Sequence, residues 1–184
     1  MNRKLDDVFE KYLSINSSSR NYAKKLTKLI DLLTSEGRYL EARFYLDQLE
    51  KTHNGNIISI CLGYKLAITL FDNQSVIKYD KLLYLKRKND FELEWYRLQY
   101  YYSVNNIPRM RESSKFLLSN SRLERDHIET IIEVVWNTHD YELTVMLHKY
   151  AIKNKISFTN QIDKMIRNTV LENLRDSLVM CTNV

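Results

Sequence analysis

The chain has 184 residues, a net charge of +5, and 44% hydrophobic and 28% charged residues, the makeup of a folded globular protein rather than a disordered one. Three glycines and one proline are too few for a strand-rich fold, which needs a turn residue at each reversal, so helices joined by short polar loops are expected. No window approaches the ~18 uncharged residues of a membrane span, no apolar run of signal-peptide length opens the chain, and Cys61 and Cys181 form no paired motif, which predicts a cytoplasmic protein with reduced thiols.

In chain order, residues 3–14 form an amphipathic helix with Leu5, Val8, Phe9 and Tyr12 on one side. The polar stretch from Ser14 to Ser19 follows as a linker, so this helix reads as an arm, with docking on the stack left open as the alternative. Helices then come in pairs, over 20–35 and 39–52, 57–71 and 75–88, 90–104 and 108–119, and 122–137 and 140–154. Asn54-Gly55-Asn56 separates the first two pairs, and Asp72-Asn73-Gln74-Ser75 splits the second. Pro108 suits the opening turn of its helix, where no amide partner is lost. A longer helix over 159–179 places Phe158, Ile162, Ile166, Val170, Leu174 and Leu178 on one stripe, with Ser157 as its N-cap. The expected division is therefore 1–19, 20–156 and 157–184, the last covering the apolar end of the stack.

The first and fourth pairs share a pattern. Leu26, Leu29, Ile30 and Leu33, then Gly37 and Tyr39, then Ala42, Leu46 and Leu49 return after 102 residues as Ile128, Ile131, Ile132 and Val135, then His139 and Tyr141, then Thr144, His148 and Ala151. That offset is three periods of 34, the signature of a stacked helical repeat. In this register His148 takes the place of Leu46 and is expected to be partly buried. In the middle pairs the register is expected to slip: a strict 34-residue step would put Glu94 and Arg97 in the core, so Trp95, Leu98 and Tyr102 are read as the buried face instead.

The turn Gly37-Arg38-Tyr39-Leu40-Glu41-Ala42 followed by Tyr45 resembles the tetratricopeptide repeat. That family has a Gly, an aromatic residue two further on and a small residue three beyond that. The resemblance covers at most residues 22–155. Ile30 and Ile132 stand where the family has a Gly in its first helix, and the Pro closing each repeat is absent. It implies an all-α, right-handed solenoid of about four helix-turn-helix pairs plus the C-terminal capping helix. It further implies a concave groove lined by the first helix of each pair, holding a peptide or helix of another protein. Lys24, Thr27, Asp31 and Thr34 in the first pair, and Asp126, Glu129, Glu133, Trp136 and Asn137 in the fourth, fall at those inner positions. Because acids stand there, the lysine-lined clamp by which some relatives grip acidic tails is not expected, and the partner should be basic or amphipathic.

Trp136 beside Glu129 and Glu133 is a candidate anchor, and Tyr96 and Tyr100, one turn apart, could line the same groove. The favoured function is a non-catalytic adaptor, chaperone-like or regulatory module. An alternative is nucleic-acid binding through Lys78, Lys81, Lys86, Arg87 and Lys88 with the neighbouring tyrosines. Self-association through the C-terminal helix is a third reading. His127-Ile128-Glu129 lacks the cysteines a deaminase zinc site needs, His139-Asp140 reads as a turn, and no phosphate loop, nucleophile elbow or metal-ligand spacing is present. No catalytic residue, cofactor or metal is therefore expected.

Overall fold

The computed structural model describes residues 9, 10, 12, 21–52, 56–86, 91–120, 123–159, 162–164, 166–169 and 171. The linker over 14–19, Asn54, Gly55, Arg87, Lys88, Cys181 and most of the expected helices at 3–14 and 159–179 lie outside these residues. Among the described residues every regular element is helical: α1 (Tyr22–Ser35), α2 (Tyr39–Thr52), α3 (Ile57–Thr69), α4 (Asn73–Lys86), α5 (Phe91–Ser103), α6 (Ile107–Asn120), α7 (Arg125–Thr138) and α8 (Tyr141–Asn154). The chain divides into two compact units, Met1–Leu93 and Glu94–Val184. In the first, α1 packs on α2 and α3, and α3 on α2 and α4; in the second, α6, α7 and α8 pack on one another.

The backbone keeps the 34-residue interval throughout. The second helix of each pair begins at 39, 73, 107 and 141 and ends at 52, 86, 120 and 154. Each intervening turn has one left-handed residue, at Gly37, Phe71, Asn105 and His139. In the first three turns the following amide reaches back to the last helical turn, Arg38 to Leu33, Asp72 to Ala67 and Asn106 to Tyr101, while the left-handed residue's own amide bonds three residues back. This double bond is the Schellman closure, which satisfies carbonyls that a helix end leaves unpaired. At His139 a single bond to Val135 replaces it.

The next helix is then capped from the same register. Asp72 accepts from the Ser75 amide, Asn106 from Arg109 and Asp140 from Leu143, the N-cap geometry that short Asx side chains supply. Arg38, at the equivalent place, holds Glu41 through two 2.7 Å bonds instead. The expected longer turn at 72–75 is thus a misreading: Asp72 is a cap, and Asn73 to Ser75 are already helical.

Packing follows the same step. Ala42, Val76, Met110 and Thr144 are all buried, as are Leu49, Leu83, Leu117 and Ala151. In α1 the expected set Leu26, Leu29, Ile30 and Leu33 is buried with Leu46, Leu62 and Leu66 in one cluster. Each such side chain contributes ~1.5–3 kcal/mol by leaving water. Gly63 occupies the position of Leu29 one period later. A Cβ there would fall 2.2 Å from the Tyr79 ring, so the missing side chain makes room for that buried ring. The Tyr79 hydroxyl donates to Glu50 at 2.8 Å.

Four expectations are corrected. Glu94 and Arg97 keep the strict register; they are tolerated because they pair at 2.8 Å and Glu94 also accepts from Ser113 at 3.0 Å, leaving side chains only 17% and 26% exposed. Leu93 and Leu98 are the buried residues of α5, Trp95 is half-buried and Tyr102 is exposed. His148 is exposed and Leu147 is buried in its stead, since the stripe through Thr144 and Ala151 passes through 147. Finally, Phe9 and Tyr12 are not on a detached arm. They pack on the first cluster, Phe9 edge-on to Tyr45 at 6.1 Å and under the Arg38 guanidinium at 4.7 Å.

At the other end, Ile166 is buried, Phe158 and Ile162 are half-buried, and the Asp163 amide bonds the Thr159 carbonyl. This is the helical register expected for the stripe that begins at Phe158.

Candidate functional site

The site is built on α7. Ile128, Ile131, Val134 and Val135 turn inward. The helical period then leaves Asp126, Glu129, Glu133, Trp136 and Asn137 on one opposite face, and all five are exposed. The Glu124 amide donates to His127 Nδ1 at 3.0 Å, closing the first turn. The His127 ring stands edge-on to Trp95 at 4.4 Å. Burial pulls the His127 pKa below its ordinary value, with Glu124 and Asp126 opposing, so it serves as a neutral acceptor. Asp126 sits where the helix dipole favours an anion.

Along this face charge and aromatic surface alternate. Glu129 pairs with Arg125 at 2.7 Å, but both are well exposed, so the pair contributes little to stability and is easily exchanged. Glu133 is held differently. Tyr102 of α5 donates its hydroxyl to Glu133, and burial first, then this carboxylate, raises the tyrosine pKa. Asn137 Nδ2 in turn donates to the Tyr102 oxygen at 3.3 Å. The chain Asn137 to Tyr102 to Glu133 fixes the carboxylate beside Trp136, which is 55% exposed. A carboxylate can accept up to about four hydrogen bonds, so Glu133 retains capacity for an incoming lysine or arginine.

The flank of α7 opens into a groove of about 550 Å³ whose walls include Leu123, Ile128, Ile132, Ile156, Phe158 and Ile162, with Arg125 and Glu129 at its rim. Its size is that of a ligand or side-chain pocket. Sequence reasoning missed it because Phe158 and Ile162 were assigned to covering the stack rather than to a wall, and Ile156 was given no role.

The remaining expected residues are placed less favourably. Tyr96 and Tyr100 are half-buried, and Tyr100 tilts against Tyr101 at 5.7 Å. The tyrosine that joins the acidic face is Tyr102, which was expected in the core. In the first unit the Thr27 hydroxyl donates to the Ala23 carbonyl of its own helix at 2.9 Å, and Asp31 lies 3.9 Å from Lys65. A groove of about 470 Å³ includes Ala23, Lys24, Thr27, Leu49, Ile58 and Ser59 in its lining. Of the basic set, Lys78 contacts Glu50 at 3.2 Å and lies over the Tyr79 ring, while Lys81 and Lys86 are exposed. Arg87 and Lys88 are outside the described residues.

Among the described residues, no group of three or more His, Cys, Asp and Glu is placed to hold a metal ion. No described helix is long and apolar enough to cross a membrane. No protein-family model, no curated protein and no solved structure matches this chain. The likeness to the tetratricopeptide repeat therefore rests on the residues quoted above and on the interval of 34.

Proposed function

We propose that this protein is a non-catalytic binding module, an adaptor or regulatory protein of the cytoplasm, that holds a basic or amphipathic segment of another protein against α7. The single observation carrying this reading is Trp136: a large, rigid side chain 55% exposed beside a carboxylate already oriented by Tyr102 and Asn137. Aromatic anchors flanked by polar groups supply most of the energy of such contacts, and the acidic row selects cationic partners. The groove beside Ile128 and Ile132 would take an apolar residue of the same segment. The constant interval of 34 supports a four-pair, right-handed, tetratricopeptide-like solenoid as the scaffold.

The test is affinity capture from the host lysate at moderate salt, with Trp136→Ala and Glu133→Lys run in parallel. One protein held near stoichiometry by the wild type, surviving nuclease and lost with both variants, supports the reading. Loss of Trp136 should weaken binding about 30-fold, as for a typical anchor, without lowering the melting temperature. If Trp136→Ala melts the fold instead, the residue is structural and the site is withdrawn. Nucleic acid captured and released by salt would transfer the function to the basic helix.

A further inference from the structure

Helix α4 carries a second exposed surface, in the first unit, that the α7 reading does not use. Its inward side is formed by Val76, Tyr79 and Leu83. Its outward side is not the polar face such a helix normally shows water. Ile77 is 55% exposed, Leu85 78% and Tyr84 39%, and they share a stripe with Lys78 and Lys81, with Lys86 at the helix end. The positions 77, 81, 84 and 85 follow the helical spacing that brings side chains onto one line. The acid of this helix, Asp80, is engaged elsewhere, accepting from the buried Tyr64 hydroxyl at 2.9 Å. In sequence the cationic run continues with Arg87 and Lys88.

We propose that this face of α4 docks reversibly on an anionic lipid surface, with the helix lying in the plane of the interface. Interleaved aliphatic, tyrosine and lysine side chains are what an interfacial helix needs: the apolar groups enter the headgroup boundary, and the ammonium groups pair with lipid phosphates and carboxylates. Lysine stems also reach upward from beside buried apolar groups to the charged layer. The other occupants fit less well. A second copy would set lysine against lysine. Nucleic acid would use Lys81 and Tyr84 but would leave Ile77 and Leu85 in water, since phosphate offers aliphatic groups nothing. Lys78 is paired with Glu50 at 3.2 Å, so Lys81, which lies on the stripe between Ile77 and Leu85, carries most of the attraction.

The test is sedimentation of the full chain with phosphatidylcholine vesicles prepared with and without phosphatidylserine. The expected result is partition onto the serine-lipid vesicles alone, weakened by salt. It should fall about tenfold with Leu85→Asp, because an inserted leucine is replaced by a charge. Ile77→Asp serves as an independent second variant, and melting temperatures confirm that both fold. Equal partition onto the two vesicle types, or partition unchanged by both aspartate substitutions, overturns the proposal. So does binding of a single-stranded oligonucleotide that depends on Lys81 but not on Leu85, with no vesicle partition. The α7 face plays no part in these readouts, and Trp136→Ala should leave them unmoved.

Discussion

The first and third helix pairs place different chemistry at one backbone register. In α1 the positions 26, 29, 30 and 33 are Leu, Leu, Ile and Leu, all buried in one apolar cluster. In α5 the positions two intervals of 34 further on, 94, 97, 98 and 101, are Glu, Arg, Leu and Tyr. Glu94 and Arg97 meet there as a half-buried ion pair that Ser113 completes. The comparison teaches that the interval of 34 is a property of helix ends and turns more than of the core. Schellman closures recur at the same step in both places, although an Asx cap follows only in the third pair, at Asn106, so backbone geometry is kept while caps and packing vary. It also teaches where the fold is costly. An apolar cluster gains from every atom buried, whereas a shielded ion pair roughly balances desolvation against attraction.

The largest break in this comparison should come from the apolar side. Leu29→Ala removes a side chain with no exposed surface to speak of and should cost about 2–5 kcal/mol in urea unfolding. On the polar side, Glu94→Ala alone should cost about 1–3 kcal/mol, because it removes the half-buried carboxylate that Arg97 and Ser113 share. Replacing both, Glu94→Leu with Arg97→Leu, writes the first pair's residues into the third. That double variant should come within about 1 kcal/mol of the wild type or exceed it. If it is as damaging as the single, the pair is not a substitute for apolar packing and the shared register is coincidental.

The turns sharpen the same contrast at smaller scale. Gly37, Asn105 and His139 are residue types that accept a left-handed backbone, but Phe71 is not, and it holds φ 54 with 68% of its surface exposed. Phe71→Asn, which copies Asn105, should therefore stabilise by about 0.5–1 kcal/mol, visible as a rise of ~2–4 °C in melting temperature. A loss of stability would show that the ring makes a contact that outweighs its strain.

The smallest effect concerns His127. Burial holds its pKa below the ordinary 6.5, so on acidification the unfolded chain takes up the proton first. Its contribution is complete above about pH 6.5 and is lost as pH falls through the lower folded value. Asp72, held low chiefly by hydrogen bonds from Ser75, acts in the same direction at more acid pH. Unfolding free energy should thus decline between about pH 7 and about pH 5, and less steeply in His127→Gln. An unchanged slope in that variant would assign the decline to the carboxylates.

Much of the site was legible along α7 itself. The spacing of Asp126, Glu129, Glu133 and Trp136 places them on one face by helical period alone, opposite Ile128, Ile131 and Val135. What sequence reasoning misassigned was the neighbour. Tyr96, Tyr100 and Tyr102 are alike as residues, and nothing local distinguishes the one whose hydroxyl reaches Glu133. His148 and Leu147 were exchanged for a similar reason: a one-residue rotation along α8 leaves the periodic pattern nearly intact.

By itself the sequence determined that the chain is helical, how successive helices pair and the interval at which they repeat. Those features rest on interactions within a few residues, such as the left-handed turn at Gly37 or the Asx cap at Asp140, which the local chain encodes directly. The tertiary structure alone decided which polar residues could occupy core positions, which tyrosine joined the acidic row and which aliphatic residues of α4 remained in water. Each of these depends on what a facing helix offers. Glu94 is tolerated because Arg97 and Ser113 lie within hydrogen-bond reach, and Ile77 and Leu85 are exposed because, among the described residues, none covers that side of α4.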